Sequence, residues 1–109
     1  FITTGTVNGA TIRFMVDTGA TSIALGASDA RRANVSTANA RAVMVQTANG
    51  ITQGWLVTLD TVRVGDVTLN GVEGIVHQHD MPIALLGMSF LNRMEMKRDG
   101  QTMTLRKRY

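Results

Sequence analysis

Asp17, Thr18 and Gly19 are the residues of this chain whose types and spacing could do chemistry. They follow an alternating run, Ile12-Arg13-Phe14-Met15-Val16, and lead into Ala20-Thr21-Ser22. A strand that stops at an acid, a hydroxyl and a glycine puts a carboxylate where the backbone turns sharply. The Asp17 carboxylate could hold a water and exchange its proton. The Thr18 hydroxyl could bond backbone across a dimer axis and fix the loop. Gly19 permits unusual φ and lets backbone amides approach the carboxylate closely. The apolar residues before Asp17 bury the base of the loop, which gives the acid a rigid support.

The chemistry that fits is peptide hydrolysis by paired acids. Two facing carboxylates cannot both ionise, so they share one proton. The ionised member activates water while the protonated one polarises the scissile carbonyl. This chain holds one such triplet. A second must come from a second copy, with Asp17 meeting its symmetry mate on a two-fold axis. The tripeptide alone occurs by chance in roughly one chain in fifty of this length, and it is also an ordinary turn. The apolar strand before it, Ala20 after it and the later Leu85-Leu86-Gly87 favour the catalytic reading.

The elements that must carry this loop are short strands. Residues 1–7 and 11–16 alternate on either side of Asn8-Gly9, a hairpin signal because both turn positions favour positive φ. Residues 22–25 are short and extended, and 27–33 suggest a brief helix. Strands are expected over 42–47 and 51–64, with a bulge near Asp60-Thr61 where the apolar parity breaks. Further strands are expected over 67–69 and 72–77, with a hairpin turn at Asn70-Gly71 between them. An apolar strand, 83–86, ends at Gly87, and Ser89 is expected to cap a short helix. A last hairpin turns at Asp99-Gly100. Many short strands and little helix indicate an antiparallel all-β barrel or sandwich. The two strands that end at Gly19 and Gly87 hint at an internal repeat.

Composition narrows the class. The chain of 109 residues is one domain, 44% apolar, with three Phe, one Tyr and one Trp. Its seven Met read mostly as core filler. The net charge of +3 gathers at Lys97, Arg98, Arg106, Lys107 and Arg108, read as a solvated edge and tail rather than a nucleic-acid surface. With no cysteine there is no disulfide, thiol nucleophile or thiolate metal site. No run of about 18 apolar residues is present to span a bilayer.

Taken together, Phe14-Met15-Val16-Asp17-Thr18-Gly19-Ala20, the hairpin around Thr47-Ala48-Asn49-Gly50 and Ala84-Leu85-Leu86-Gly87 resemble the retropepsin-like aspartic proteases, relatives of pepsin. The resemblance covers nearly the whole chain. It implies a closed all-β acid-protease barrel with one or two short helices. It implies catalytic Asp17, Thr18 and Gly19, and substrate contacts from Ala20, Thr47, Ala48, Asn49, Gly50 and Leu86. The hairpin would close over substrate as a lid, and the segment at Leu86-Gly87 would tuck beneath the catalytic loop. The implied partners are a second copy of the chain and an extended peptide; no metal or organic cofactor is required.

Met88 and Ser89 after Gly87 look more like the bacterial branch than the viral one, which carries Arg and Asn there. That branch implies a periplasmic domain of a longer protein, tethered by an N-terminal membrane segment upstream of Phe1. Two departures bear on assembly. The strand that precedes the first hairpin in viral members, and knits their dimer, lies outside this chain. The C-terminal hairpin, 94–105, is expected to take its place. The lid holds only Gly50 and Gly54.

Other chemistries compete. His77, His79 and Asp80 could approach a metal, and the competing view is a solvated loop. No serine sits in a nucleophile elbow. A monomeric peptide-binding or assembly module that keeps the fold is the alternative to an enzyme, and a basic barrel that binds nucleic acid is a third class.

Overall fold

A computed structural model describes residues 1–47, 50–99 and 102–107, with the backbone alone described for 95–99 and 102–107. Its strands are β1 (Ile2–Val7), β2 (Ala10–Val16), β3 (Ile23–Leu25), β4 (Arg41–Thr47), β5 (Gly50–Val64), β6 (Val67–His77), β7 (Ala84–Leu86), β8 (Met94–Asp99) and β9 (Thr102–Lys107). Two short helices, α1 (Ala27–Arg32) and α2 (Met88–Leu91), follow β3 and β7.

The first seven strands form one sheet in the order β1-β2-β7-β3-β6-β5-β4. It closes where residues 5–7 of β1 pair with residues 62–64 of β5. The result is a six-stranded barrel, with β4 standing outside it as the second arm of the β4–β5 hairpin. Closure removes sheet edges along those pairings. Strands β8 and β9 form a separate two-stranded sheet.

Alternation places the core. Val7, Ile12, Phe14, Leu59, Val62, Leu69 and Leu86 point inward, and α2 adds Phe90 and Leu91. Of the methionines whose side chains are described, Met94 is buried, Met81 and Met88 are half-buried, and Met15 and Met44 are exposed, so these are not mainly core filler. No helix among the described residues is long and apolar enough to cross a membrane.

Three local expectations change. The sheet is mixed, since β2 pairs with β7 and β3 pairs with β6 in parallel. β6 runs unbroken through Asn70-Gly71, with no hairpin there. Nor is there an extra residue at Asp60-Thr61, because the β5–β6 register is constant from Gly54↔His77 to Val64↔Val67. Both strands change inward-facing parity together, β5 between Leu59 and Val62 and β6 between Leu69 and Val72. Gly71, at φ +63°, supplies the conformation for this shared corner.

Candidate active site

The Asp17 loop grows directly from the core. Ile12 and Phe14 are fully buried and hold β2 in place. β2 lies beside β7 with Phe14 opposite Ala84 and Val16 opposite Leu86. The ladder continues one residue beyond the strand, where the Asp17 N–H donates to the Leu86 carbonyl at 3.1 Å. The chain then turns, and the Ala20 N–H donates back to the Asp17 carbonyl at 3.2 Å. Asp17 is half-buried, while Thr18 and Gly19 are exposed at the tip.

The carboxylate is held from its own loop. The Gly19 N–H donates to Oδ1 of Asp17 at 2.9 Å. Gly19 is not among the positive-φ residues, so unusual φ is not its contribution. Close approach is: a Cβ there would stand 3.2 Å from the same Oδ1.

Behind the loop, α2 accepts no slack. The Met88 and Ser89 N–H groups donate to the carbonyls of Ala20 and Thr21, both at 2.8 Å. Gly87, not Ser89, is the N-cap of α2. The Ser89 hydroxyl instead accepts from the Ile23 N–H at 3.1 Å and donates to the Glu73 carbonyl at 2.7 Å. Leu86, expected to touch substrate, is a core residue with no exposed surface, and it serves the loop through its carbonyl.

The β4–β5 hairpin, expected to act as a lid, pairs residues 41–47 with residues 50–56. Thr47 and Gly50 face each other at its tip, where the Thr47 hydroxyl donates to the Gly50 carbonyl at 2.8 Å. Ala48 and Asn49, expected to contact substrate, lie outside the described residues. Met44 and Ile51 are about seven-tenths exposed, at 70% and 69%. Their partners in the ladder, Gln53 and Gln46, place both on one face of the hairpin. Trp55 sits half-buried at its base, opposite Ala42 and Val76.

Between the hairpin and the loop leading to β7 lies a groove of about 450 Å³, lined by Thr47, Ile51, Thr52, His77, His79, Asp80, Met81 and Pro82. Burial holds the His77 imidazole below its ordinary pKa. Asp80 is engaged by α1: its Oδ1 accepts from the Ser28 N–H at 2.7 Å. That bonding to Ser28, with Arg31 as a lesser cause, holds its carboxyl below the usual range. Among the described residues no three His, Asp, Glu or Cys side chains are grouped to hold a metal ion.

A closed barrel with an Asp-Thr-Gly loop, seated beside a second glycine-terminated strand, is the architecture of the acid-protease class. The comparisons with known proteins fall in the same class. A family model described as "gag-polyprotein putative aspartyl protease" matches residues 3–93. A solved retropepsin-like aspartic protease from Rickettsia conorii superposes with a TM-score of 0.75 at 34% identity, covering 91% of this chain and 83% of that one. An uncharacterized protein from the cobV 5′ region of a Sinorhizobium species is 40% identical over 98 residues, covering 88% of this chain and 42% of its own length. An uncharacterized protein of Rickettsia prowazekii is 37% identical over 90 residues, covering 82% of this chain and 38% of its own length. The chain thus spans about two fifths of the curated relatives it matches. It belongs to the retropepsin-like aspartic protease family.

Asp17, Thr18, Gly19 and Ala20 share one loop, and Thr47 and Gly50 share one hairpin tip, as their places in the sequence imply. The hydrogen bonds that join Ser22, Glu73 and Ser89 behind the loop are not signalled in the sequence. No local signal could have found their contacts, because Ser22 and Glu73 meet across 51 residues of chain.

Proposed function

We propose that this chain is one half of an aspartic endopeptidase, and that two copies meet so that their Asp17 carboxylates share a proton and activate a water. The observation that carries this reading is the seat of Asp17. A half-buried carboxylate stands at a turn fixed by Leu86 on one side and by α2 on the other, with one oxygen already held by the Gly19 amide. A preorganised acid of this kind needs no reorganisation when it acts. Thr18, exposed beside it, would bond the neighbouring copy's loop. An extended peptide would lie under the β4–β5 hairpin as an added strand, its alternate side chains entering pockets.

The test compares the wild-type chain with Asp17→Asn on a diverse peptide mixture, with mass in solution followed by light scattering over a concentration series. Cleavage by the wild type that is stopped by a transition-state-mimic inhibitor, and is lost in Asp17→Asn, is the expected result. Equal cleavage by both proteins would remove the enzyme reading. A wild-type protein that stays monomeric yet cleaves would remove the shared dyad.

A further inference from the structure

The segment behind the Asp17 loop is held by polar groups that the reaction chemistry does not use. Ser22 is the one buried polar side chain among the described residues, at 5% exposure. Its hydroxyl donates to Oε1 of Glu73 at 2.9 Å. Glu73 lies on β6 beside Gly74, the residue that pairs with Ile23. Ser89 closes the arrangement by bridging the Glu73 carbonyl and the Ile23 amide. Residues 20–23 are therefore tied one after another: Ala20 and Thr21 to α2 through their carbonyls, Ser22 to β6 through its side chain, and Ile23 to α2 through Ser89.

Burying a hydroxyl costs free energy unless it is bonded, and even a bonded one adds only modestly to stability. An alanine at position 22 would carry no such requirement. What the hydroxyl adds over a methyl group is direction, since a hydrogen bond fixes angle as well as separation. The tied segment begins one residue after Gly19, whose amide donates to the Asp17 carboxylate. Slack at Ser22 would travel through residues 19–21 to that oxygen.

We propose that Glu73, acting through Ser22, is a positioning residue for the Asp17 carboxylate. The inference rests on the reading of Asp17 as the catalytic acid. Glu73 is exposed on the outside of the barrel and need not touch substrate. Its carboxylate seats Ser22, Ser22 seats the loop, and the loop aims the Gly19 amide at Oδ1.

The experiment uses Glu73→Ala and Glu73→Gln, at an exposed site where packing does not decide folding. Glutamine keeps an Oε1 that can accept from Ser22; alanine does not. Two readouts are taken: peptide cleavage, split into kcat and KM, and amide hydrogen exchange at Gly19 by NMR. Glu73→Ala is expected to lower kcat by about tenfold with KM nearly unchanged, as a sub-ångström misplacement of a catalytic group would. It should also speed Gly19 exchange, and Glu73→Gln should restore both. A purely structural role would change melting temperature without this pattern. Unchanged Gly19 exchange in Glu73→Ala overturns the proposal, and so does a glutamine variant no better than alanine. If the wild type cleaves nothing, the reading of Asp17 fails, while Gly19 exchange still decides the positioning.

Discussion

Among the described glycines, Gly87 has the least room for a methyl group, and Gly87→Ala should damage both stability and the Asp17 loop. The backbone there, at φ −94° and ψ −171°, is open to any residue. Space is what requires glycine. A Cβ would lie 2.2 Å from the Ser22 carbonyl oxygen, 2.7 Å from its carbon and 2.8 Å from the Ala20 oxygen. Real Cβ atoms essentially never come within 3.0 Å, so something must retreat by 3.0 − 2.2 = 0.8 Å. All three atoms are main chain of the segment leaving the Asp17 loop, and no side chain can swing aside. Overpacking of this kind costs about 1–3 kcal/mol. For a domain near this size that is roughly 5–20 °C in Tm. A displacement near 1 Å at a catalytic loop lowers rate by up to about 100-fold. Thermal melts followed by circular dichroism, with peptide cleavage on the same samples, measure both effects. Gly65→Ala is the control: its Cβ meets nothing within 4 Å, and its φ of +60° costs only backbone strain, about 1 kcal/mol. A Gly87→Ala protein that melts with the wild type, and no lower than Gly65→Ala, would refute the argument that the loop has no room.

Two further perturbations separate the parts of the structure. Leu86→Ala should cost about 2–5 kcal/mol in urea denaturation, as a core cavity does, because the side chain is fully buried. A loss of substrate affinity at unchanged stability would instead return Leu86 to the surface role first expected of it. His77 should tie stability to pH. Its folded pKa lies below the unfolded value of 6.5 because of burial, so the unfolded chain takes up a proton that the folded one resists. Stability should fall as pH drops below 6.5 and level off once His77 itself protonates. His77→Gln should remove that limb of the curve in melts recorded across the same range, and an identical curve in the variant would count against it.

The parts legible in the sequence were those fixed by near neighbours. Ile12 and Phe14 alternate, so β2 was visible as a strand with one buried face. Asn8-Gly9 has the positive φ angles, 51° and 84°, that its hairpin needs. The same chemistry misled at Asn70-Gly71. A positive φ at glycine serves a bent strand as well as a hairpin, and the dipeptide cannot tell which. Parallel neighbours were not visible either, because alternation gives a strand's face but not its partner. Ser89 followed the rule for helix caps, yet Gly87 takes that place and the hydroxyl turns to β3 and β6. The resemblance implies a substrate contact at Leu86, but the inward parity of β7 buries that side chain in the core.

The hint of an internal repeat acquires a physical meaning from the pairing of β2 with β7. The two strands run side by side in the same direction, and each leaves the barrel at the same level, Val16 opposite Leu86. Beyond that level the two differ. The first delivers an acid, a hydroxyl and a glycine; the second delivers Gly87, whose missing side chain makes the hollow into which residues 20–22 settle. One strand end therefore carries reactive groups and the other carries their support. A larger residue at 87 would displace the support, and a second acid there would meet the Ser22 and Ala20 carbonyl oxygens. Position 87 thus has no room for an acid side chain beside the Asp17 loop. For a reaction that needs two carboxylates, the economical source is the same loop on another copy, which is why the proposed activity and the proposed association stand or fall on one measurement of mass and cleavage together.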